Sequence, residues 1–216
     1  MKFFNLLIGN YTAAYGTVWK DSFDIKCQLV ENEQFEIADN MPEMLQPEGE
    51  GTAKFTNPSH SCYEVIDFEA FVNQFSQSVK AGQGKKCDFI VAATSGNGTF
   101  VLNELSHLWS KSLKTFPQKE QEYSGKQDKA IGQLMASIER LFKSPELKAF
   151  IESYQSQIAL FSIRLKDTTQ AENVAMQSMS TFLQPLASQR EVTFPHLLSN
   201  GFTFKRVIYP NSFVLK

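Results

Sequence analysis

Cysteine is scarce in this chain. Cys27, Cys62 and Cys87 are the three among 216 residues, and no Cys-x-x-Cys pair occurs. An odd, unpaired set points to neither a disulfide framework nor a zinc site. It predicts three free thiols in a reducing cytoplasm. A basic excess is also missing: 21 Lys and Arg stand against 23 Asp and Glu, for a net charge of -2. That excludes attachment to nucleic acid by bulk charge, though not a local basic cleft. No apolar run approaches the roughly 20 residues of a membrane helix, so no membrane partner is expected. The opening run Phe3 to Ile8 is at the lower length limit for a signal peptide. It leads into Asn10 and Tyr11 without a small-x-small cleavage pattern, so a first β-strand is expected there.

Several catalytic motifs are absent too. There is no Gly-x-x-x-x-Gly-Lys-Ser/Thr, no Gly-x-Ser-x-Gly and no His-Glu-x-x-His. GQGKKC and GEGTAK are glycine- and lysine-bearing loops without phosphate-loop spacing. Asn97-Gly98-Thr99 fits a glycosylation sequon, but no secretory signal accompanies it.

What the chain does have is apolar material, 42% of it, with 19 Phe against 6 Tyr and 2 Trp. That predicts a Phe-rich core in a single domain over 1–216. FFNLLI, YTAAYGTVW and FDIKCQLVE have the character of strands, and Phe23, Ile25, Cys27 and Leu29 alternate with polar residues. Residues 38–61, rich in Pro, Gly and acids, predict a loop excursion. CYEVIDF fits a strand, while Phe68, Phe71, Val72 and Phe75 have helical spacing with Asp67 as N-cap; both readings stand. Residues 110–126 predict a loop. Residues 127–143 form the clearest helix, with a stripe of Ile131, Leu134, Met135, Ile138, Leu141 and Phe142. Ser144 and Pro145 then start another helix. Residues 158–165 predict a buried strand, 168–186 a helix, and FTFKRVIYP and SFVLK strands around Pro210 and Asn211. The order predicts an α/β domain, a mixed β-sheet with flanking helices.

The chemistry gathers at residues 87–110, CDFIVAATSGNGTFVLNELSHLWS. Two strands flank a turn, with Asp88 near the start and Glu104 near the end. They are either a metal site built on a hairpin or two polar residues at strand ends. A two-residue Asn97-Gly98 turn sets them on opposite faces. A three-residue loop, with Gly98 left-handed, sets Asp88, Glu104 and Ser106 on one face. The two-residue turn is the stronger general signal, and a bulge would restore a shared face. On one face, two carboxylates suit a hard cation such as Mg²⁺ or Mn²⁺. His107 stands beside them. His60 and His196 have no visible partner, and Lys85 and Lys86 read as a solvated pair.

The run CDFIV, a turn, FVLNEL and a helix containing Ala130, Gln133, Leu134 and Ile138 resembles the core of the PD-(D/E)XK nuclease superfamily. There an Asp begins the second core strand, a Glu-x-Lys follows on the third, and a helix packs behind. The resemblance covers roughly residues 65–142. It implies a restriction-endonuclease-like core, with Asp88 and Glu104 as metal ligands and Gln133 turned toward the site. The lysine position holds Ser106, a hydroxyl without a cation. Lys129, one helical turn from Gln133, is the leading substitute, with Lys111 and Lys114 behind it. Glu64 or Glu69 would complete the metal site.

The resulting expectation is a PD-(D/E)XK nuclease-like domain with an incomplete active site, inactive or weakly active, and Mg²⁺- or Mn²⁺-dependent if active. The alternative is a protein-interaction or structural domain without nuclease activity. Nucleic acid and protein are the two open partner classes, and the sequence does not set the oligomeric state.

Overall fold

A computed structural model describes residues 2–18, 26–39, 41–75, 84–108, 120–166 and 194–216, with backbone alone for 120–124. Among the described residues the main sheet has six strands. In spatial order they are β1 (Cys27–Val30), β5 (Tyr63–Asp67), β6 (Phe89–Ala93), β7 (Thr99–Leu108), β8 (Ser156–Leu165) and β9 (Phe202–Ile208). The first four pair antiparallel, and β7, β8 and β9 run parallel. A smaller sheet runs β10 (Ser212–Val214), β4 (Ala53–Thr56), β2 (Gln34–Ile37) and β3 (Leu45–Gln46). The helices among the described residues are α1 (Phe3–Tyr15), α2 (Phe68–Asn73), α3 (Glu120–Leu141), α4 (Pro145–Glu152) and α5 (Pro195–Ser199). This is an α/β fold with mixed sheets flanked by helices.

Side-chain alternation assigns the two faces of the main sheet. Phe100, on one face, meets Phe3 of α1 edge-on at 5.1 Å and Phe202 at 6.2 Å. Ala130, Leu134, Ile138 and Leu141 of α3 are buried in the same core. The other face meets the small sheet. Tyr63 donates from its hydroxyl to the Lys216 carbonyl at 3.0 Å, and Arg164 donates to the Gly49 and Gly51 carbonyls. Helices, sheet and sheet therefore stack as three layers. Each buried Phe contributes about 1.5–3 kcal/mol of transfer free energy to that core.

The α3 stripe, the Ser144 N-cap with Pro145 behind it, and the strands at 158–165 and 202–208 lie where the sequence places them. Four expectations need correction. The opening run is helix α1, not a strand. Phe3, Leu7 and Tyr11 recur every four residues and are fully buried. The Glu64 carboxylate caps the helix from β5, accepting the Phe3 and Phe4 N–H groups at 2.7 and 3.3 Å, and a long-range cap of this kind has no local sequence signal. In β1 the alternation is reversed at its end: Val30 is buried and Leu29 is 49% exposed. Residues 38–61 contain β3 and β4 rather than one loop, because pairing with β2 satisfies their backbone. Helix α3 begins at Glu120, inside the expected loop.

CYEVIDF resolves as both readings. β5 ends at Asp67, whose side chain accepts the Ala70 N–H at 2.8 Å and starts α2. The expected helix over 168–186 lies outside the described residues, as do Phe23, Ile25, Lys111 and Lys114. Among the described residues, no helix is long and apolar enough to cross a membrane.

Candidate functional site

The hairpin decides the site. β6 and β7 pair Phe89 with Asn103, Ile90 with Leu102 and Ala92 with Phe100. Continued by one residue, the same register sets Asp88 opposite Glu104. Their connection is a five-residue loop, Thr94 to Gly98, so neither the two-residue nor the three-residue turn forms. Gly96 takes the left-handed conformation, at φ 72. Gly98 is needed for space instead: a Cβ there would lie 2.7 Å from the Ala93 Cβ and 3.0 Å from the Lys216 carbonyl oxygen. The two acids therefore share the helix-covered face, and the lean toward opposite faces is overturned.

Asp88 is held from three directions. Its side chain accepts the Leu105 N–H at 2.6 Å across the hairpin. Its carbonyl accepts the Phe68 and Glu69 N–H groups of α2 at 2.9 and 3.1 Å. The residue before it, Cys87, donates its N–H to the Ser137 hydroxyl of α3 at 2.8 Å. Ser137 in turn donates to the Gln133 carbonyl at 2.9 Å. Asp88 is thus fixed where strand, hairpin partner and two helices meet.

Burial dominates the electrostatics. Asp88 is 8% exposed and Glu104 is 7% exposed. Loss of solvent is the largest influence raising the pKa of both carboxyls. Asp88 raises Glu104 further, and Lys129 of α3 pulls it down. For Asp88, the Leu105 N–H lowers the pKa while Asp39, Glu69 and Asp67 raise it. Asp39 and Asp67 add acids to this end of the sheet that the sequence reading did not include. Their only local signals are the end of a strand and an N-cap. Among the described residues, the Glu104 Oε2 atom is buried without a hydrogen-bond partner, and a buried acceptor left without a donor is uncommon.

The other candidates separate into two groups. Ser106 is half-buried, two residues beyond Glu104 on the same face, and pairs with Ile163 of β8. Gln133 is anchored at the entrance of β6, its Nε2 donating to the Lys86 carbonyl at 3.1 Å. Lys129 is exposed, with its charge reaching Glu104. Glu69, in the first turn of α2, belongs electrostatically to the site, whereas Glu64 caps α1. His107 faces the small sheet and meets the Thr52 hydroxyl at 3.2 Å. Burial, then Lys166 and Arg164, hold its pKa below the usual histidine value. Lys86 donates from its ammonium to the Asn73 side-chain oxygen. Cys87 is fully buried and Cys27 is pushed up to about 12 by burial, so neither is a ready thiolate.

Among the described residues, no three His, Cys, Asp or Glu side chains converge as a metal cluster. The pair still fits a hard cation. It offers carboxylate oxygens on one face, one of them unpartnered among the described residues, and such ions commonly complete their shell with water or substrate phosphate. The chain matches no protein-family model, no curated protein and no solved structure.

Proposed function

We propose that this chain is a PD-(D/E)XK nuclease-like domain with an incomplete active site. In this reading Asp88 and Glu104 hold one divalent cation, Mg²⁺ or Mn²⁺, against a nucleic-acid phosphodiester, and hydrolysis is weak or lost. The observation that carries the reading is the buried cross-strand pair Asp88 and Glu104, with Glu104 Oε2 unpartnered among the described residues. The chain order supports it. Asp88 precedes the second strand of the antiparallel meander β5-β6-β7, and Glu104 lies on the third. Gln133 lies on the following helix, α3, which leads to β8, parallel to β7.

The residues set the limits of the chemistry. A bound cation would activate water and stabilise charge on a phosphate. Asp88 and Glu104 would hold it in a site that the Leu105 N–H and the α2 N–H groups keep in place. Ser106 offers a hydroxyl where the family places a cation, so it gives no fixed charge to a developing phosphate anion. Lys129 supplies that charge only from an exposed helix position, and this reading therefore expects weak or absent turnover.

One observation favours the second reading, an interaction or structural role without nuclease activity. Asp39, Asp67 and Glu69 crowd the same end of the sheet and oppose a polyanion. Calorimetric Mn²⁺ titration of the wild type and of Glu104→Gln tests the choice. Saturable one-site binding that disappears in the variant supports the nuclease-like reading. Absence of binding by the wild type, with or without an oligonucleotide present, favours the second.

A further inference from the structure

A cavity of about 410 Å³ lies between the main sheet and β10, the edge of the small sheet. Its floor follows from strand register. Thr99 pairs with Ser156, and Ile158 pairs with Thr203. Ser156 and Ile158 are two apart on β8, as are Thr203 and Lys205 on β9, so these side chains share the face turned to the small sheet. The acid pair lies on the opposite, helix-covered face. Phe213 and Val214 of β10 supply the other wall. That wall is held in place. Phe213 meets Phe55 edge-on at 6.3 Å, and the Leu215 N–H donates to the Thr56 carbonyl at 2.8 Å. The Lys216 N–H donates to the Thr99 hydroxyl at 3.1 Å, and that hydroxyl donates to the Lys216 carbonyl.

The chemistry of this face changes across the sheet. Val65, Val91 and Val101 are fully buried and run in one cross-strand row to Ile158 and Thr203. On β8 and β9 the face then turns polar, with Ser156, Thr203 and Lys205 half-buried. Lysine is an unusual residue for the inner face of two stacked sheets, where core positions are apolar. Among the described residues, the lining carries two lysines, Lys205 and Lys216, and no Asp, Glu or Arg. A cationic, hydroxyl-bearing side opposite an apolar wall, in a volume within the ordinary range of ligand sites, complements a small amphipathic anion. We propose that this cavity binds a small organic carboxylate, its head on Lys205 with the Ser156 and Thr203 hydroxyls and its apolar body against Ile158 and Phe213. A lysine with two hydroxyls matches a singly charged head, whereas phosphoryl groups are commonly held by Arg forks or nests of backbone N–H groups. The site is independent of Asp88 and Glu104.

The test is a calorimetric titration of the full chain with hexanoate, hexanol and acetate, on the wild type, Lys205→Met, Lys205→Arg and Glu104→Gln, with a thermal melt of each. The wild type is expected to bind hexanoate saturably. Hexanol, which lacks the charge, binds at least about tenfold more weakly, the size of one charge-assisted hydrogen bond. Acetate, which lacks most of the apolar body, is weaker by at least about tenfold as well. Lys205→Met loses hexanoate affinity by about the hexanol factor and keeps its affinity for hexanol. Lys205→Arg retains hexanoate, and Glu104→Gln binds it like the wild type. Should Lys205→Met not fold, the wild-type comparison of the three probes decides alone. No saturable hexanoate binding by the wild type, equal affinity for hexanol or acetate, or undiminished binding by folded Lys205→Met overturns the proposal and leaves the Asp88–Glu104 reading untouched.

Discussion

The Asp88 carboxylate accepts the backbone N–H of Leu105, at 2.6 Å, from the residue next to Glu104 on the opposing strand. One hydrogen bond therefore ties one acid of the pair to the chain carrying the other. It holds two carboxylates together in a place where burial and mutual repulsion disfavour ionising both. The fold tolerates this because Asp88 is fixed by α2 and α3 as well.

Removing one charge should relieve the repulsion. Glu104→Gln keeps the shape and lets the amide donate toward Asp88. It is expected to raise the melting temperature at pH 8, without added metal, by at least about 2 °C, the shift about 1 kcal/mol gives a chain of this size. Differential scanning calorimetry checks this, and a lower melting temperature would mean Glu104 is stabilising as an anion.

The pH dependence follows with a definite sign. Both folded carboxyls titrate above their unfolded values, so folding favours the protonated forms. The associated stability is fully present below the unfolded value of about 4 and is lost as pH rises through the raised folded values. Urea denaturation of the wild type should therefore lose more stability between about pH 5 and pH 8 than Glu104→Gln does. Saturating Mn²⁺ should shrink the difference by favouring the ionised pair. Parallel pH profiles for the two proteins would contradict the raised values.

Lys129 lowers the Glu104 pKa through its charge. In Lys129→Ala, half-maximal Mn²⁺ binding should move to higher pH, with little change in folding stability because the side chain is exposed. Any nuclease activity of the wild type should fall as well. An unchanged pH profile of metal binding would remove Lys129 from the site.

Ser106 lies on the Glu104 face and is half-buried at the end of the sheet. Ser106→Lys is expected to place an ammonium beside the acids and raise Mg²⁺-dependent cleavage of an oligonucleotide by at least about tenfold, a modest share of what a preorganised charge can supply. Failure of this variant to cleave while still binding Mn²⁺ would favour the binding-only form of the domain.

Gly98 tests the register itself. Gly98→Ala forces a Cβ to within 2.7 Å of the Ala93 Cβ. Overpacking of this kind typically costs about 1–3 kcal/mol. Urea denaturation should show that loss, and Mn²⁺ affinity should fall with it as the loop shifts the pairing of Asp88 with Glu104. A variant as stable as the wild type would show that the loop tolerates the added carbon.

The sequence by itself determined the elements whose signals are local. The α3 stripe repeats at helical spacing, Ser144 and Pro145 mark a helix start, and the apolar runs at 158–165 and 202–208 are strands. It also singled out Asp88, Glu104, Ser106, Lys129 and Gln133 as the residues to examine. Tertiary structure decided what depends on distant partners. Residues 3–15 are a helix because Glu64, about sixty positions away, caps them and because Phe3, Leu7 and Tyr11 find the core. The shared face of Asp88 and Glu104 was beyond turn statistics. The five-residue loop packs Gly98 closely against Ala93 and Lys216, and Asn97-Gly98 forms no two-residue turn there. Side-chain parity changes with every residue of slip, so the pairing of β6 and β7 within the sheet decides whether the two acids meet or face apart.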